Sequence, residues 1–515
     1  ISSGGSAMSR STSRLAALFL LLGLLAGPGL VEIRAADTLP PGIDWFEGSV
    51  EEAFERAKAD NRPLFLYWGA VWCPPCVEIR QTVFKSPRFL AQTRLFLPVY
   101  LDGDTERAQA WGDRFGTKVY PTMIVFNPAG EEVTRLNASV DVAAYNDVLA
   151  LSLDNMRPME DLVRTGMKDP DALSGADLQR LAYYSWSDGK ALPDDAEAGL
   201  FLRLANAADG REPGAGARLY LQYLLMLADA AGRGEAASKE GLGRIAGILS
   251  ERELTLAGWD YLILPEQLMP ALAGPDENLE SLKADWADAL LRNRYDERLS
   301  VKNRLYAWRP TLVFRSESGT GENRTIPGPL ANAIRAEGEV ARESVAGTQG
   351  RQSVINTISN VYLLAGMTGD ARALLAEEIE RSDTPYYFMG SLASLEERAG
   401  NDAVALEWRR KAYEAAEGPA TRIRWWASYV QALTRLAPGD VSTVQAVAVF
   451  PFDPANGMNE LFSGANYRNL KRATDSLLSW DPDRSRLAGY AAALESACMA
   501  QASGSPDRIS CEALL

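Results

Sequence analysis

No histidine occurs among the 515 residues. That absence removes Ser-His-Asp and Cys-His nucleophile activation, histidine-based zinc or iron centres, and imidazole proton shuttling. Thiols, carboxylates and lysines are left to do any chemistry. Cysteine is scarce as well: Cys73, Cys76, Cys498 and Cys511 are too few for a scaffold built on bridges. A packed core must hold the chain together, and 47% hydrophobic with 23% charged residues is ordinary for a folded protein of several domains. Basic residues are outnumbered, 53 against 68, and the net charge of −15 repels nucleic acid and anionic head groups. No polyanion partner is expected.

Long apolar runs are missing save one, from Leu15 to Val31, which follows Arg10 and Arg14 and precedes the small residues Ala35 and Ala36. This is the pattern of a cleavable leader. Gly27-Pro28-Gly29 interrupts the run below the ~20 apolar residues that a spanning helix needs, so a signal peptide over 8–36 is expected rather than a retained anchor. No stable membrane span is expected after cleavage, and the expected location is periplasmic or extracellular. Residues 1–7 precede the first methionine, Met8, and read as an upstream extension or scar.

What is there begins with an α/β pattern. Ser49-Val50-Glu51-Glu52 has the spacing of a capping box, and Val50, Ala53, Phe54 and Ala57 form one apolar helical stripe. Leu64 to Trp68 reads as a buried parallel strand. A helix follows with Cys76, Ile79, Val83 and Phe84 on its inner face, and Ser86-Pro87 opens another. A second strand runs from Leu95 to Leu101, and a helix from about Thr105 to Phe115 is closed by Gly116. Thr122–Phe126 and Glu132–Leu136 flank the turn Asn127-Pro128-Ala129-Gly130 as a hairpin, before a last helix carrying Val142, Tyr145, Leu149 and Leu153. One domain over 37–155 is expected.

From 156 to 515 the periodicity is helical, with almost no strand signal. Ala365-Gly366 and Ala399-Gly400 recur 34 residues apart, each before an acidic residue and an Ala-rich helix. That spacing resembles tetratricopeptide repeats over about 354–416, and both helix-hairpin repeats and an irregular bundle remain open. The stretch from Pro310 to Pro329, rich in Ser, Gly, Thr and Asn, reads as a long loop, with a sub-boundary near 310–345.

The chemistry is carried by Trp72-Cys73-Pro74-Pro75-Cys76, directly after a strand and at the start of a helix. There the positive end of the helix dipole favours a thiolate on Cys73, and Cys76, one turn in and more buried, can resolve a mixed disulfide. A zinc site is not expected, because no histidine and no second CxxC completes a metal shell. Pro74 and Pro75 withhold two N–H donors from the Cys73 sulfur, which points to a reducing potential. Cys498 and Cys511 flank Ser503-Gly504-Ser505-Pro506-Asp507 and read as a structural bridge or, failing that, a second redox pair.

The segment from about Ile43 to Leu153 resembles the thioredoxin fold. The run from Trp72 to Glu78 with Phe84-Lys85-Ser86-Pro87, and Asp102 after the second strand, is similar to the C-terminal domain of the DsbD family of thiol:disulfide interchange proteins. The resemblance implies that Pro121, in Val119-Tyr120-Pro121-Thr122, is cis and faces the cysteines, and that Tyr120 offers backbone groups to a substrate strand. Trp72 is expected beside the sulfur. Two positions depart from the pattern. The carboxylate usually found six residues before the first cysteine is Tyr67, a poor base with an ordinary pKa near 10. The acid expected four residues after Cys76 is Arg80, whose charge would lower the Cys76 pKa from the same helix face. The expectation is an exported protein-disulfide oxidoreductase that uses no cofactor beyond its own Cys73–Cys76 dithiol. Its partners would be disulfide-bearing exported proteins and a thiol redox partner. The alternative is a helical scaffold on which the thioredoxin fold is a non-catalytic docking domain.

Overall fold

The computed structural model describes residues 42–515 apart from 71–72, 104, 118, 138–140, 188, 194–196, 231–238, 273–277, 316–325, 346–347 and 454–460. The expected extension 1–7 and leader 8–36 lie outside the described residues. Helix α1 (Val50–Ala59) starts at a full capping box, with the Ser49 hydroxyl on the Glu52 N–H and the Glu52 carboxylate on the Ser49 N–H. Next come strand β1 (Leu64–Gly69), α2 (Pro74–Gln81), α3 (Pro87–Thr93), β2 (Leu97–Asp102), α4 (Glu106–Phe115), the hairpin β3 (Thr122–Phe126) and β4 (Glu132–Asn137), and α5 (Val142–Asp154). The second strand begins two residues later than its apolar run suggests, because Leu95 is exposed in the turn that leaves α3.

The sheet order is β2-β1-β3-β4. β1 runs parallel to β2 (Leu64 opposite Leu97) and antiparallel to β3 (Leu64 opposite Phe126), and β3 pairs antiparallel with β4. All six residues of β1 are buried, since both faces of the sheet are covered. Leu64, Leu66 and Trp68 face α1 and α4 with Val99, Leu101 and Ile124, and the Trp68 indole N–H donates to Ala108 O at 3.1 Å. Phe65 and Tyr67 point the other way into a ring cluster with Phe84, Phe89, Phe96 and Tyr100. Each such side chain buried contributes about 1.5–3 kcal/mol, so the strand that leads into the cysteine motif is firmly anchored.

Beyond α5 every regular element among the described residues is helical. The α/β region and the helical region that follows it make up the fold class. Helices Thr348–Leu364, Thr368–Ile379, Tyr386–Arg398, Asp402–Ala415 and Pro419–Leu436 pack each against the next, as hairpins do. The 34-residue recurrence marks equivalent helix ends. Gly366 and Gly400 have φ of 71° and 76°, and the next residues' N–H groups, of Met367 and Asn401, each donate at 2.8 Å to a carbonyl five residues back. Of the expected loop from Pro310 to Pro329, residues 316–325 lie outside the described residues, and its two ends are helical: Pro310 lies in helix Arg309–Arg315 and Pro329 in helix Gly328–Ser344. Both prolines sit in the first turn, where the missing N–H costs nothing, so their presence does not mark a loop.

The helices wrap onto the α/β region instead of trailing from it. Edge strand β4 is covered where the buried Arg180 donates to Val133 O at 2.8 Å and the Ser185 N–H donates to Arg135 O at 2.9 Å. α2 packs on helix Thr348–Leu364, with Lys302 and Glu78 paired at 2.9 Å beside it. α4 packs on helix Gly464–Trp480.

Candidate active site

Cys73 is the N-cap of α2, in extended conformation at φ −76° and ψ 119°, and Pro74 and Pro75 fill the first two helical positions. Prolines suit those positions because φ is already helical and the helix asks for no N–H there. The first donor that reaches the sulfur is therefore the Cys76 N–H, at 3.4 Å from Cys73 Sγ, which takes the place of the usual oxygen cap. The α2 dipole points its positive end at the same atom. Both thiols are free; Cys76 is wholly buried and Cys73 is 3% exposed.

Burial pushes the Cys76 thiol well above its ordinary value, and its hydrogen bond and charge interaction with Cys73 act in the same direction. A backbone hydrogen bond from Ala70 and the Arg80 guanidinium pull down, Arg80 being the smallest of these influences. Tyr67 stands close enough to interact with both sulfurs, but burial raises its phenol well above 10, which makes it a still poorer base than its residue type implies. Neither group supplies the carboxylate that Tyr67 and Arg80 replace.

The Tyr120–Pro121 peptide is cis, at the entrance to β3. The Tyr120 ring lies on Trp68 at 4.1 Å between centroids, and its hydroxyl accepts from Gln109 Nε2 at 3.0 Å and donates to Gly103 O at 3.3 Å. A Cβ at position 103 would stand 2.3 Å from that hydroxyl, so only glycine fits there. Trp72 lies outside the described residues. Cys498 and Cys511 are joined in a disulfide with Cα atoms 5.5 Å apart, linking helices Ala488–Met499 and Pro506–Glu512. They belong to the core formed by residues 423–514, not to the cluster around Cys73.

That cluster carries what residue spacing did not reveal. Tyr386, Tyr387, Ala412, Ala416 and Trp425 of the helical region pack with Ala70, Cys73 and Cys76. Cys73 opens into a cleft of about 560 Å³ that it shares with Pro75, Val119 and Tyr120 on one side and with helical residues on the other. Four helices supply i, i+4 pairs to the lining: Asn356 and Asn360, Tyr387 and Ser391, Ala420 and Arg424, Arg468 and Arg472. Gln109 of α4 fixes one wall, since its Oε1 accepts the N–H groups of Ala465 at 2.9 Å and Asn466 at 3.3 Å while its Nε2 holds Tyr120. Asp113, one turn on, accepts the Gly464 N–H. The helical i, i+4 spacing of polar residues was the available sequence signal, but nothing local says which sulfur they surround.

A four-stranded mixed sheet with a helix-capping CxxC and an adjacent cis-proline loop defines a thioredoxin-like region with a thiol–disulfide redox role. Residues 50–151 match the thioredoxin-like domain family. The chain is 27% identical over 187 residues to the thioredoxin-related protein DsbJ of Chlamydia pneumoniae, covering 34% of this chain and 51% of that protein. It is 32% identical over 82 residues to thioredoxin H4 of Arabidopsis thaliana, covering 16% of this chain and 65% of that one. The chain thus spans about half to two thirds of the length of these relatives. Among the described residues no His, Cys, Asp and Glu cluster could hold a metal, and no helix is long and apolar enough to cross a membrane.

Proposed function

We propose that the protein is an exported thiol–disulfide oxidoreductase acting on protein disulfides through Cys73 and Cys76. The observation that carries the proposal is the Cys76 N–H directed at Cys73 Sγ from 3.4 Å, at a helix start whose sulfur shares a cleft with Tyr120 of the cis-proline loop. In the forward step the Cys73 thiolate attacks one sulfur of a substrate disulfide, and the other sulfur leaves as a thiolate that takes a proton. Cys76 then loses its proton and attacks Cys73 Sγ, which releases the second substrate thiol. One substrate disulfide becomes two thiols, Cys73–Cys76 becomes a disulfide, and an external dithiol restores it. Pro121 and the Tyr120 backbone would align the substrate strand. The similarity of the Trp72–Glu78 run to the DsbD C-terminal domain and the Cys498–Cys511 bridge both favour an oxidising, exported setting.

One observation favours a second reading, a helical binding protein with a silent thioredoxin fold: Cys73 is only 3% exposed beneath Tyr387 and Trp425. The two part on a Cys76→Ser variant. Turnover predicts a stable mixed disulfide through Cys73, visible as a mass increase reversed by dithiothreitol, whereas a silent domain yields no covalent adduct.

A further inference from the structure

We propose that the cleft over Cys73 is a binding site for disulfides flanked by carboxylates, recognised by Arg424, Arg468 and Arg472. The inference rests on the exchange reading above and adds to it the class of substrate. On a chain with 68 acidic and 53 basic residues, the described lining of this cleft holds three arginines and no carboxylate. Helices Pro419–Leu436 and Gly464–Trp480 bring them together, Arg468 and Arg472 one turn apart on the second. The guanidiniums are close enough to sense one another: burial, then the charges of Arg424 and Arg468, lower the Arg472 pKa. Like charges gathered this way repel, and an entering anion relieves the repulsion.

Other arginines of the helical region meet carboxylates two-pronged, as Arg335 meets Asp370 at 2.8 and 3.0 Å and Arg342 meets Glu377 at 3.0 and 3.2 Å. The cleft arginines are oriented differently. Arg424 donates to the Tyr387 hydroxyl at 3.0 Å, Arg472 to the Asn469 side chain, and Arg468 reaches Asp113 at 3.5 Å. Such contacts fix the guanidiniums around the cleft, and a planar guanidinium is suited to a carboxylate ligand. The volume of about 560 Å³ lies within the usual range for small-ligand sites, so the cleft takes a few residues around a disulfide and not a folded surface. A short peptide disulfide and an acidic loop bearing one share this chemistry.

The test uses the reduced full chain in single turnover with the symmetrical disulfide of acetyl-Glu-Cys-Glu-amide, and with its Gln-Cys-Gln counterpart. Each rate is divided by the rate of the same peptide with dithiothreitol, which removes intrinsic differences in reactivity. The Glu peptide is expected to be favoured about tenfold at low salt and to approach parity near about 0.5 M salt. The Arg424→Gln/Arg468→Gln/Arg472→Gln variant should lose the preference, and Arg410→Gln, on an exposed helix face outside the cleft, should keep it. If the triple variant does not fold, Arg472→Gln alone should cut the preference about threefold. Equal rates for the two peptides, or a preference that survives loss of the arginines, overturns the inference and leaves the exchange reading intact. If neither peptide reacts, the exchange reading fails. The cleft is then read by calorimetry with S-methylated Glu-Cys-Glu and the Cys73→Ser/Cys76→Ser protein: salt-sensitive binding that needs the arginines supports the site, and no binding overturns it. The same acidic sequence displayed on a folded carrier separates the sources, since reaction of the free peptide alone assigns small peptides and reaction of both assigns loops.

Discussion

The two cysteine pairs lie in different regions and have opposite fates. Cys498 and Cys511, buried between two short helices at the end of the helical region, are bonded to each other. Cys73 and Cys76 are nearly as buried but free, and the first of them is capped by a backbone N–H at the mouth of a cleft. Burial therefore does not decide what a thiol does. A sulfur at a helix N-terminus is offered stabilisation as an anion, whereas one between packed helices is offered only a partner. One pair is free at a helix start and the other is closed between helices.

The sharpest way to break this contrast is to remove each pair. Cys73→Ser should abolish reduction of a protein disulfide, by about a thousandfold or more, as expected when a covalent nucleophile is lost. Cys498→Ser/Cys511→Ser should leave that rate standing while costing about 3 kcal/mol of stability by urea titration, because the bridge closes a short loop across a sequence separation of 13. Loss of exchange in the second variant would mean that the distal pair relays electrons after all.

A smaller effect tests how firmly the helical region is held over the redox site. Lys302 loses solvent on burial but is raised above its ordinary value by Glu78, 2.9 Å away on α2. Lys302→Ala leaves that carboxylate without its partner and should cost about 2 kcal/mol, seen as a lower urea midpoint. Iodoacetamide should also reach Cys73 faster in this variant if the pair keeps the cleft closed.

The pH dependence is subtler. Native Cys76 keeps its proton to higher pH than an unfolded chain does, so its contribution to stability is whole below about pH 9 and is lost as the pH rises beyond it. Burial of Tyr67 and Tyr145 adds the same sign above about pH 10. Urea midpoints of the reduced protein should fall from pH 8 to 10. Those of the oxidised protein, whose Cys76 carries no proton, should fall less. Arg80→Ala is expected to have the smallest effect, a slight alkaline displacement of the pH profile of Cys76 alkylation, since Arg80 is the weakest of the influences on that thiol. An unchanged profile would remove Arg80 from the redox site.

Much of the α/β region was legible because its signals are local. The Ser49 capping box, the Gly116 helix end and the apolar β1 run each express a preference satisfied within a few residues. The cysteine motif was legible for the same reason, since strand, helix start and both sulfurs fall between Leu64 and Cys76. Composition rich in Ser, Gly, Thr and Asn overran the two ends of the stretch from Pro310 to Pro329, which are helical because a first-turn proline forfeits no helix hydrogen bond. Gln109 could not have been singled out, because its partners Ala465 and Asn466 lie some 350 residues away in the chain.

The order of residues by itself determined the strand segments, the helix that starts at Cys73, and the exclusion of histidine chemistry, since these follow from backbone preferences and side-chain identity. Only tertiary structure decided that the helical region folds back over the sulfur, and that Asn356, Tyr387, Arg424 and Arg468 meet around it. Packing of distant apolar faces sets which helix surfaces converge, and no short stretch of sequence records the partner of a face.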